Sequence, residues 1–234
     1  FEVKAYPQLT SSASMTRFAG KYYTQAQCKD LQNYAKERGV IVIPEIDMPG
    51  HFQAALAAYP ELSCSGEPYR NSDYCIGKEE TFTFLENVLT EVIELFPSEY
   101  IHIGGDEAPK TRWLNCPKCK AKLQEEGLHT MDELQGWLVN EVAGYLKKKG
   151  RKAICWNESL NGGNLDKDNI TVALWTNKMD KGVEWANGGN PIIMEKFTPY
   201  YVDYPYGMHS LKDVYMFNPR KVRGLSSLGA ASIK

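Results

Sequence analysis

Two acidic residues, Asp106 and Glu107, stand side by side in the stretch "YIHIGGDEAPK" at residues 100–110. Like charges at neighbouring positions repel each other, and no turn requires both. The pair directly follows a short apolar run and two glycines, Gly104 and Gly105, which let the backbone turn sharply. This placement presents carboxyl groups at the end of a strand, where they could carry out acid–base chemistry. The simpler interpretation is a solvated loop or a helix N-terminus, which acids favour, and spacing alone does not separate the two.

The adjacency of the two acids limits the chemistry they could do. In an ordinary retaining glycosidase, two carboxyl groups about 5 Å apart stand on opposite sides of the scissile bond. Neighbouring residues have Cα atoms about 3.8 Å apart and are poorly placed to straddle a sugar. The pair is better suited to a mechanism in which one carboxyl group protonates the leaving oxygen and the other steadies a neighbouring part of the substrate. The nucleophile then comes from the substrate itself.

Polar and aromatic residues also follow other predicted strands. Apolar runs predict strands at "VIVIPEI", "YIHIGG", "KAICW", "ITVALW" and "PIIMEKF", because strands buried on both faces are apolar throughout. Segments 44–51, 104–107, 156–158, 175–177 and 201–203 come after these strands. Chemistry-bearing residues at the carboxyl ends of successive parallel strands predict an α/β fold, a (β/α)8 TIM barrel, in one domain over residues 1–234. Because about five strands are found where such a barrel has eight, the barrel is expected to be incomplete in this chain.

Helical patterns alternate with these strands. Residues 24–38 predict a helix that starts with a capping box at Thr24 and Gln27 and carries an apolar stripe of Leu31, Tyr34 and Ala35. Further helices are predicted over 81–96, after a second capping box at Thr130 and Glu133, and over 178–186.

Composition and charge exclude several classes of function. The 234 residues carry a net charge of −2, so nothing favours a nucleic acid or an anionic membrane as partner. No apolar run is long enough to span a bilayer, and the first residues lack the pattern of a signal peptide. No organic cofactor or metal is implied.

Six cysteines leave their chemistry open. Cys64 and Cys75 flank a polar loop and could bridge it by a disulfide. The "CPKC" at 116–119 has the spacing of half a zinc site or of a redox pair. A structural zinc requires a second pair, and neither a second CxxC nor a CxxH is present. A local structural role is therefore the expectation.

The motif "HIGGDE" resembles the signature of glycoside hydrolase family 20, the β-N-acetylhexosaminidases. The similarity extends to "YAKERGVIVIPEIDMPGH", "LFPSEYIHIGGDE", "ICWNE", "ALWTN" and "YYVDYPYG", which resemble the third to seventh strand segments of that family's barrel. The resemblance implies a retaining exo-β-N-acetylhexosaminidase that releases terminal N-acetylglucosamine or N-acetylgalactosamine through an oxazolinium intermediate. The implied partner is an oligosaccharide or glycoconjugate.

The resemblance also implies roles for individual residues. Glu107 matches the general acid/base, and Asp106 matches the residue that orients the 2-acetamido group and stabilises the oxazolinium. His51 matches a histidine behind the acid. The other matches are Trp156 and Trp175, which enclose the sugar, Tyr201, which binds the acetamido oxygen, Asp203, which binds sugar hydroxyls, and His102 and Glu158, which support the site from behind.

The first and last residues depart from the family pattern. The chain opens at "FEVKAYPQLT" and stops at "GLSSLGAASIK", which resemble positions inside the family's catalytic domain. The expectation is a domain that lacks about two strands at its start and one at its end, and that has little activity alone. The alternative is an inactive sugar-binding or structural fragment. Bacterial enzymes of this type are often exported, so a periplasmic, cell-surface or secreted location is expected.

Overall fold

Four parallel strands form the centre of the fold. The computed structural model describes residues 1–12, 14, 15, 17–205, 207 and 210–234. The strands are β1 (Tyr100–His102), β2 (Lys152–Trp156), β3 (Ile170–Leu174) and β4 (Ile192–Met194), and they pair in the order β1-β2-β3-β4. Ile101 is paired with Ala153, and Val172 with Ile192. Four of the five predicted strand segments and the parallel α/β class are thereby confirmed.

One further segment lies against each outer strand. Beside β1, Ile46 N–H donates to His102 O at 2.9 Å, and His102 N–H donates to Pro44 O at 2.9 Å. Beside β4, a single bridge joins Ile192 to Ile233, which the sequence analysis did not predict. Within the described ranges β1 and β4 do not pair with each other, so the sheet is open and barrel closure stays a prediction.

The prediction of a fully buried strand at "VIVIPEI" is wrong. Only Glu45 makes a strand bridge, and Val40, Ile41 and Ile43 are exposed, with Ile41 at 76%. The reason is that this segment has β1 on one side and no partner strand on the other in the part of the chain that the structure describes.

Helices alternate with the strands. Their bounds are α1 (Gln25–Lys36), α2 (Gln53–Ala58), α3 (Glu79–Leu95), α4 (Pro117–Glu125), α5 (Met131–Lys148), α6 (Asp180–Asn187), α7 (Phe197–Tyr200), α8 (Leu211–Met216) and α9 (Ser227–Ala231). Both predicted capping boxes are present, at the starts of α1 and α5. No helix among these residues is both long and apolar enough to cross a bilayer.

The predicted apolar stripe of α1 is only partly buried. Ala35 is buried together with Cys28, whereas Leu31 and Tyr34 are exposed. α1 contacts α3, and the Tyr34 ring is covered by the Arg38 guanidinium group, 3.4 Å from the ring centroid. A cation over an aromatic face is a stable arrangement at a surface, so an amphipathic pattern here does not mark a buried face.

The core packs α3 and α5 with the sheet. Its fully buried members include side chains from β1, β2 and β3 and from both helices: Ile101, Ala153, Cys155, Val172, Leu85, Leu89, Leu134 and Leu138. Because parallel strands all end at the same edge of the sheet, this core fixes the positions of the segments that follow β1 to β4.

The disulfide that Cys64 and Cys75 could form is absent. The described residues include all six cysteines, and all six are free thiols. Cys64 and Cys75 instead lie beside Cys116 and Cys119, with the Cys75 and Cys119 sulfurs 3.6 Å apart.

Candidate active site

The turn that follows β1 has a backbone that few residues can adopt. Gly104 and Gly105 have φ of 71° and 110°, and Glu107 has φ of 47°. A Cβ atom on Gly104 would lie 1.7 Å from Asp47 Oδ1, and one on Gly105 would lie 2.2 Å from Ser159 Oγ. Both glycines are therefore required by backbone angle and by space. The left-handed conformation of a glutamate is strained, and such strain is concentrated at functional sites.

Neighbouring elements hold this turn in place. Trp156 N–H in β2 donates to Gly104 O at 2.8 Å. Gln135, buried in α5, donates through Nε2 to Gly105 O at 2.6 Å. The carbonyl groups of the turn are thus held from two sides, which limits the directions in which Asp106 and Glu107 can point.

His51 lies between the two acids. Its Nε2 atom is 3.1 Å from Asp106 Oδ2 and 3.2 Å from Glu107 Oε2. His51 has φ of 55°, and the space where Gly50 would carry a Cβ lies 3.0 Å from Asp106 O. The "PGH" and "GGDE" motifs, 55 residues apart at His51 and Asp106, are therefore in direct contact.

The two acids differ in exposure. The Asp106 side chain is 17% exposed and the Glu107 side chain is 57% exposed. A half-buried carboxylate can act on a group held deep in a site, whereas an exposed one can meet water and a leaving group. The adjacent acids are thus suited to two different tasks.

His102 lies beneath the turn. Burial lowers the pKa of this histidine to about 4, so its ring is neutral near neutral pH. Its Nδ1 atom accepts a hydrogen bond from Gly104 N–H at 3.0 Å, and its ring packs on Trp156 at 4.4 Å between centroids. The Glu45 carboxyl oxygen 3.4 Å from Nδ1 is therefore a contact with a neutral ring. His102 thus supports the turn through its hydrogen bond with Gly104.

Two indoles, those of Trp156 and Trp175, each donate a hydrogen bond to a carboxyl group. Trp156 Nε1–H donates to Glu45 Oε1 at 2.9 Å. Trp175 Nε1–H donates to Glu158 Oε2 at 2.8 Å. Burial raises the pKa of Glu158, and the charges of Asp106 and Glu107 raise it further.

Of the predicted residues Tyr201 and Asp203, Tyr201 contacts Trp175 through its ring. The Tyr201 ring stacks on Trp175, with centroids 6.1 Å apart and an interplanar angle of 28°. Burial raises the Tyr201 pKa, and the charges of Glu195, Asp106 and Asp203 add to this rise. Asp203 is exposed in the turn that follows Tyr201. Tyr206, in the same "YYVDYPYG" motif, lies outside the described residues.

Three acids near the site were not singled out from the sequence: Glu45, Asp47 and Glu195. Burial raises the pKa of Asp47 to about 8, and the charge of Asp106 and a hydrogen bond shared with it also contribute. Asp47 is therefore protonated near neutral pH and can donate a hydrogen bond to Asp106. The buried Oδ1 atom of Asp106 is available as the acceptor, because no other donor among the described residues binds it. The signal was available, because Glu45 lies at the end of the predicted strand "VIVIPEI" and Asp47 directly follows it.

The acid cluster could also be considered as a cation site. Ligand atoms of Asp47, His51 and Asp106 lie within 4.8 Å of one another. However, a carboxyl group with a pKa of about 8 holds its own proton at neutral pH, and that proton neutralises one of the two acids. The arrangement is better suited to sharing protons and to stabilising a transient positive charge.

Comparisons with known proteins agree with these motifs. The model of the family "Glycosyl hydrolase family 20, catalytic domain" matches residues 1–227. A beta-hexosaminidase of Porphyromonas gingivalis is 37% identical over 93% of this chain and 31% of its own length. A beta-hexosaminidase of Vibrio furnissii is 35% identical over 86% of this chain and 36% of its own length. The chain thus spans about a third of the length of these curated relatives.

Solved structures are similar over the same residues. The crystal structure of a beta-N-acetylhexosaminidase from Bacteroides fragilis superposes with a TM-score of 0.82 at 37% identity, covering 94% of this chain and 48% of that chain. An exo beta-N-acetylglucosaminidase of Vibrio harveyi, in complex with N-acetylglucosamine, gives a TM-score of 0.71 at 29% identity, covering 82% of this chain and 34% of that chain.

Proposed function

This chain belongs to glycosyl hydrolase family 20, and from that premise we propose that it provides catalytic residues of a retaining exo-β-N-acetylhexosaminidase. The proposed reaction removes a terminal N-acetylglucosamine or N-acetylgalactosamine from an oligosaccharide or glycoconjugate. The observation that carries the proposal is the position of His51 Nε2, at 3.1 Å from Asp106 and 3.2 Å from Glu107. This contact unites the two motifs into one acid–base centre.

The first proposed step uses the substrate's own amide as nucleophile. Glu107, the more exposed acid, protonates the glycosidic oxygen as its bond to the anomeric carbon breaks. The acetamido carbonyl oxygen attacks the same carbon and forms the oxazolinium ring. An attacking group that is held within the substrate has a very large effective concentration, so no enzyme carboxylate needs to bond to the sugar.

The second acid stabilises the charge that this step creates. As the amide oxygen attacks, its nitrogen becomes cationic, and the half-buried Asp106 carboxylate attracts that charge more strongly in the transition state than before. Protonated Asp47 beside it keeps Asp106 as the single charged acid of that pair. Glu107 then removes a proton from water as the water attacks the anomeric carbon and the bond between that carbon and the acetamido oxygen breaks. This step restores the acid and the amide, and the two successive displacements retain the configuration.

The aromatic residues are proposed to shape the sugar site. Trp175 is fixed by Glu158 and stacked on Tyr201, so an indole face and a phenol group lie together next to the acids. In the proposal Tyr201 binds the acetamido oxygen, Trp156 and Trp175 enclose the sugar, and the exposed Asp203 binds sugar hydroxyls. The bound N-acetylglucosamine of the Vibrio harveyi structure supports the choice of sugar.

We also infer that the parallel sheet is part of a (β/α)8 barrel. The parallel order of β1 to β4 and the TM-score of 0.82 with the Bacteroides fragilis structure support this inference. In a barrel of this type the site residues lie at the carboxyl ends of the strands, which is where the motifs are found.

A comparison of two substrates tests the proposed chemistry. A full-length protein that contains this chain is expected to hydrolyse an aryl N-acetyl-β-glucosaminide and to leave the matching aryl β-glucoside, which lacks the amide, essentially intact. Equal kcat/KM for the two, or a sugar bonded covalently to a carboxylate in mass spectrometry, would contradict the proposal.

A substitution tests the role of Glu107. Glu107→Gln removes the acid and is expected to lower kcat by about 10²–10⁴-fold, with a smaller loss for substrates whose leaving group needs no protonation. Glu37→Gln, at an exposed glutamate that follows α1, is the control and should keep full activity. A uniform loss across leaving groups would argue against a proton-donating role.

A further inference from the structure

Four cysteines from distant parts of the chain meet outside the acid–base centre. The Sγ atoms of Cys64, Cys75, Cys116 and Cys119 all lie within 4.8 Å of one another, and Cys64 is the least buried of the four residues. The distance between Sγ atoms is 3.7 Å for Cys64 and Cys119, 3.7 Å for Cys75 and Cys116, and 3.6 Å for Cys75 and Cys119.

These separations have the size of a tetrahedral metal–sulfur site. Zinc binds cysteine sulfur at about 2.3 Å, so the sulfurs of a tetrahedral tetrathiolate are about 3.8 Å apart. A disulfide would bring a pair to about 2.05 Å, and none of the four is bonded to another. Four thiols in mutual contact also match the ligand set that selects zinc among divalent cations.

The first pair of ligands lies at a helix start. Cys116 precedes α4 and Cys119 is its third residue, with Pro117 as the first. The unpaired N–H groups at such a start and the helix dipole favour negatively charged sulfur. The "CPKC" spacing therefore brings two thiols to one point that stabilises thiolates.

The second pair lies at the two ends of the loop 64–75, and the backbone next to it is closely packed. A Cβ atom on Gly77 would lie 2.1 Å from the Lys118 carbonyl carbon, so the two chain segments touch without any side chain between them. This close backbone contact holds the segments of Cys75 and Cys119 together.

The ammonium group of Lys78 binds backbone carbonyl groups just before Cys64. The Lys78 ammonium group donates to Glu61 O at 2.5 Å and to Ser63 O at 2.7 Å. Ser63 directly precedes Cys64, so this cation lies next to a cluster that would carry two net negative charges with a divalent ion bound.

We propose that Cys64, Cys75, Cys116 and Cys119 bind one structural Zn²⁺ as a closed tetrathiolate. All four positions are filled by protein sulfur, so no position remains for water or substrate, as in structural zinc sites. Binding releases the four thiol protons. The site does not depend on the proposed glycosidase reaction.

The zinc would join two loops that also reach the acid–base centre. Trp113 Nε1–H, just before the "CPKC" motif, donates to Tyr74 O at 2.7 Å. Tyr74 N–H in turn donates to Pro49 O at 3.0 Å, two residues before His51. In this proposal the metal acts as a cross-link that stabilises the loop of His51 through Trp113 and Tyr74.

The metal content of the full chain tests the proposal. Protein purified under reducing conditions without chelators is expected to contain one zinc per chain by elemental mass spectrometry. When a thiol reagent titrates the native protein, release of that zinc to a chromogenic chelator should follow the modification of four thiols. Absence of zinc, iron in its place, or a disulfide within the four cysteines in mass spectrometry of the unreduced protein would overturn the proposal.

Variants separate this cluster from the other cysteines. Cys75→Ser together with Cys119→Ser removes one ligand from each pair and is expected to abolish zinc binding. The controls are Cys28→Ser and Cys155→Ser, which change the two cysteines outside the cluster and should each keep one zinc. Full zinc in the double variant would contradict the proposal, and if that variant does not fold, the titration of the unmodified chain still decides.

Discussion

The acid cluster (Asp47, Asp106 and Glu107, with His51) and the thiol cluster (Cys64, Cys75, Cys116 and Cys119) each bring like groups together. The two clusters differ in their exposure to solvent. At the first, Asp106 and Glu107 are partly open to solvent and share one imidazole nitrogen. At the second, Cys75 and Cys119 are fully buried and 3.6 Å apart. Like acidic groups repel unless a positive charge lies between them. An open cluster can receive that charge transiently from a substrate, whereas a closed one suits a permanent ion.

The backbone conformation also differs between the two clusters. The acid cluster lies on left-handed conformations at His51 and Glu107, which cost about 1–3 kcal/mol each. The thiol cluster begins at Cys116, an extended residue at an ordinary helix start. At the acids the left-handed conformation thus falls on His51 and Glu107 themselves, whereas beside the thiols it falls on Tyr69, inside the loop between Cys64 and Cys75. Four substitutions test this contrast.

Removing the charge of the half-buried acid should have the largest effect. Asp106→Asn keeps the shape but cannot stabilise a cationic nitrogen, so kcat on an aryl N-acetyl-β-glucosaminide should fall by about 10²–10³-fold. Zinc content should stay unchanged, because the two clusters share no residue. A kcat within tenfold of the parent, measured under saturating substrate, would refute the role of Asp106.

Adding one methyl group to the catalytic turn should have the next largest effect. In Gly104→Ala the new Cβ would lie 1.7 Å from Asp47 Oδ1, which displaces the acids and should lower kcat/KM by about 10²-fold. Gly39→Ala is the matched control, because Gly39 has φ of 67° but nothing within 4 Å. It measures the cost of a left-handed alanine alone, about 1–2 kcal/mol, in urea unfolding. Equal effects of the two variants on kcat/KM would exclude the proposed displacement.

A glycine-to-alanine change beside the thiols should lower zinc affinity more than it lowers kcat/KM. Gly77→Ala forces the segments of Cys75 and Cys119 apart, and zinc affinity should fall by about 10–100-fold, as measured by competition with a chelator. The loss in kcat/KM should be below tenfold. Gly144→Ala, in α5 with open space around it, should change neither value, and unchanged affinity in Gly77→Ala would show that the close packing is not needed.

The last substitution tests the pH dependence of stability. The pKa of Asp47 is raised from 3.8 to about 8 on folding, so between these values the folded chain holds a proton that the unfolded chain releases. Its contribution to the free energy of unfolding is complete at low pH and is lost as pH rises towards 8. Asp47→Asn is always neutral, so its stability relative to the parent should increase from pH 4 to pH 8 in urea unfolding. A constant difference would show that Asp47 is not protonated.

Local patterns predicted much of the fold. Continuous apolar runs identified β1 to β4 because these strands are buried on both faces, and the capping boxes at Thr24 and Thr130 marked two helix starts because they act within four residues. The segment 40–46 was predicted as buried and is not, since a run of residues does not state whether a second strand lies beside it. The spacing of Leu31 and Tyr34 likewise does not state whether another element covers that face of α1.

The site was predictable where its residues are neighbours in sequence. Asp106 and Glu107 stand together in one turn, whereas the proton held by Asp47 depends on burial and on the charge of Asp106, which only the folded chain provides. The thiol cluster was not predicted because Cys64 and Cys75 are separated by ten residues, and the search for a second pair considered only CxxC and CxxH. A loop of that length can still bring its ends together at little entropic cost.

The apolar strip of Leu31, Val40, Ile41 and Ile43 bears on how the isolated chain behaves in solution. Val40, Ile41 and Ile43 belong to the segment that continues into the one beside β1, whereas Leu31 lies in α1. Exposed apolar residues next to a sheet edge favour contact between molecules. Ile41→Lys is therefore expected to lower self-association of the chain in light scattering, and an unchanged value would show that this strip does not contribute.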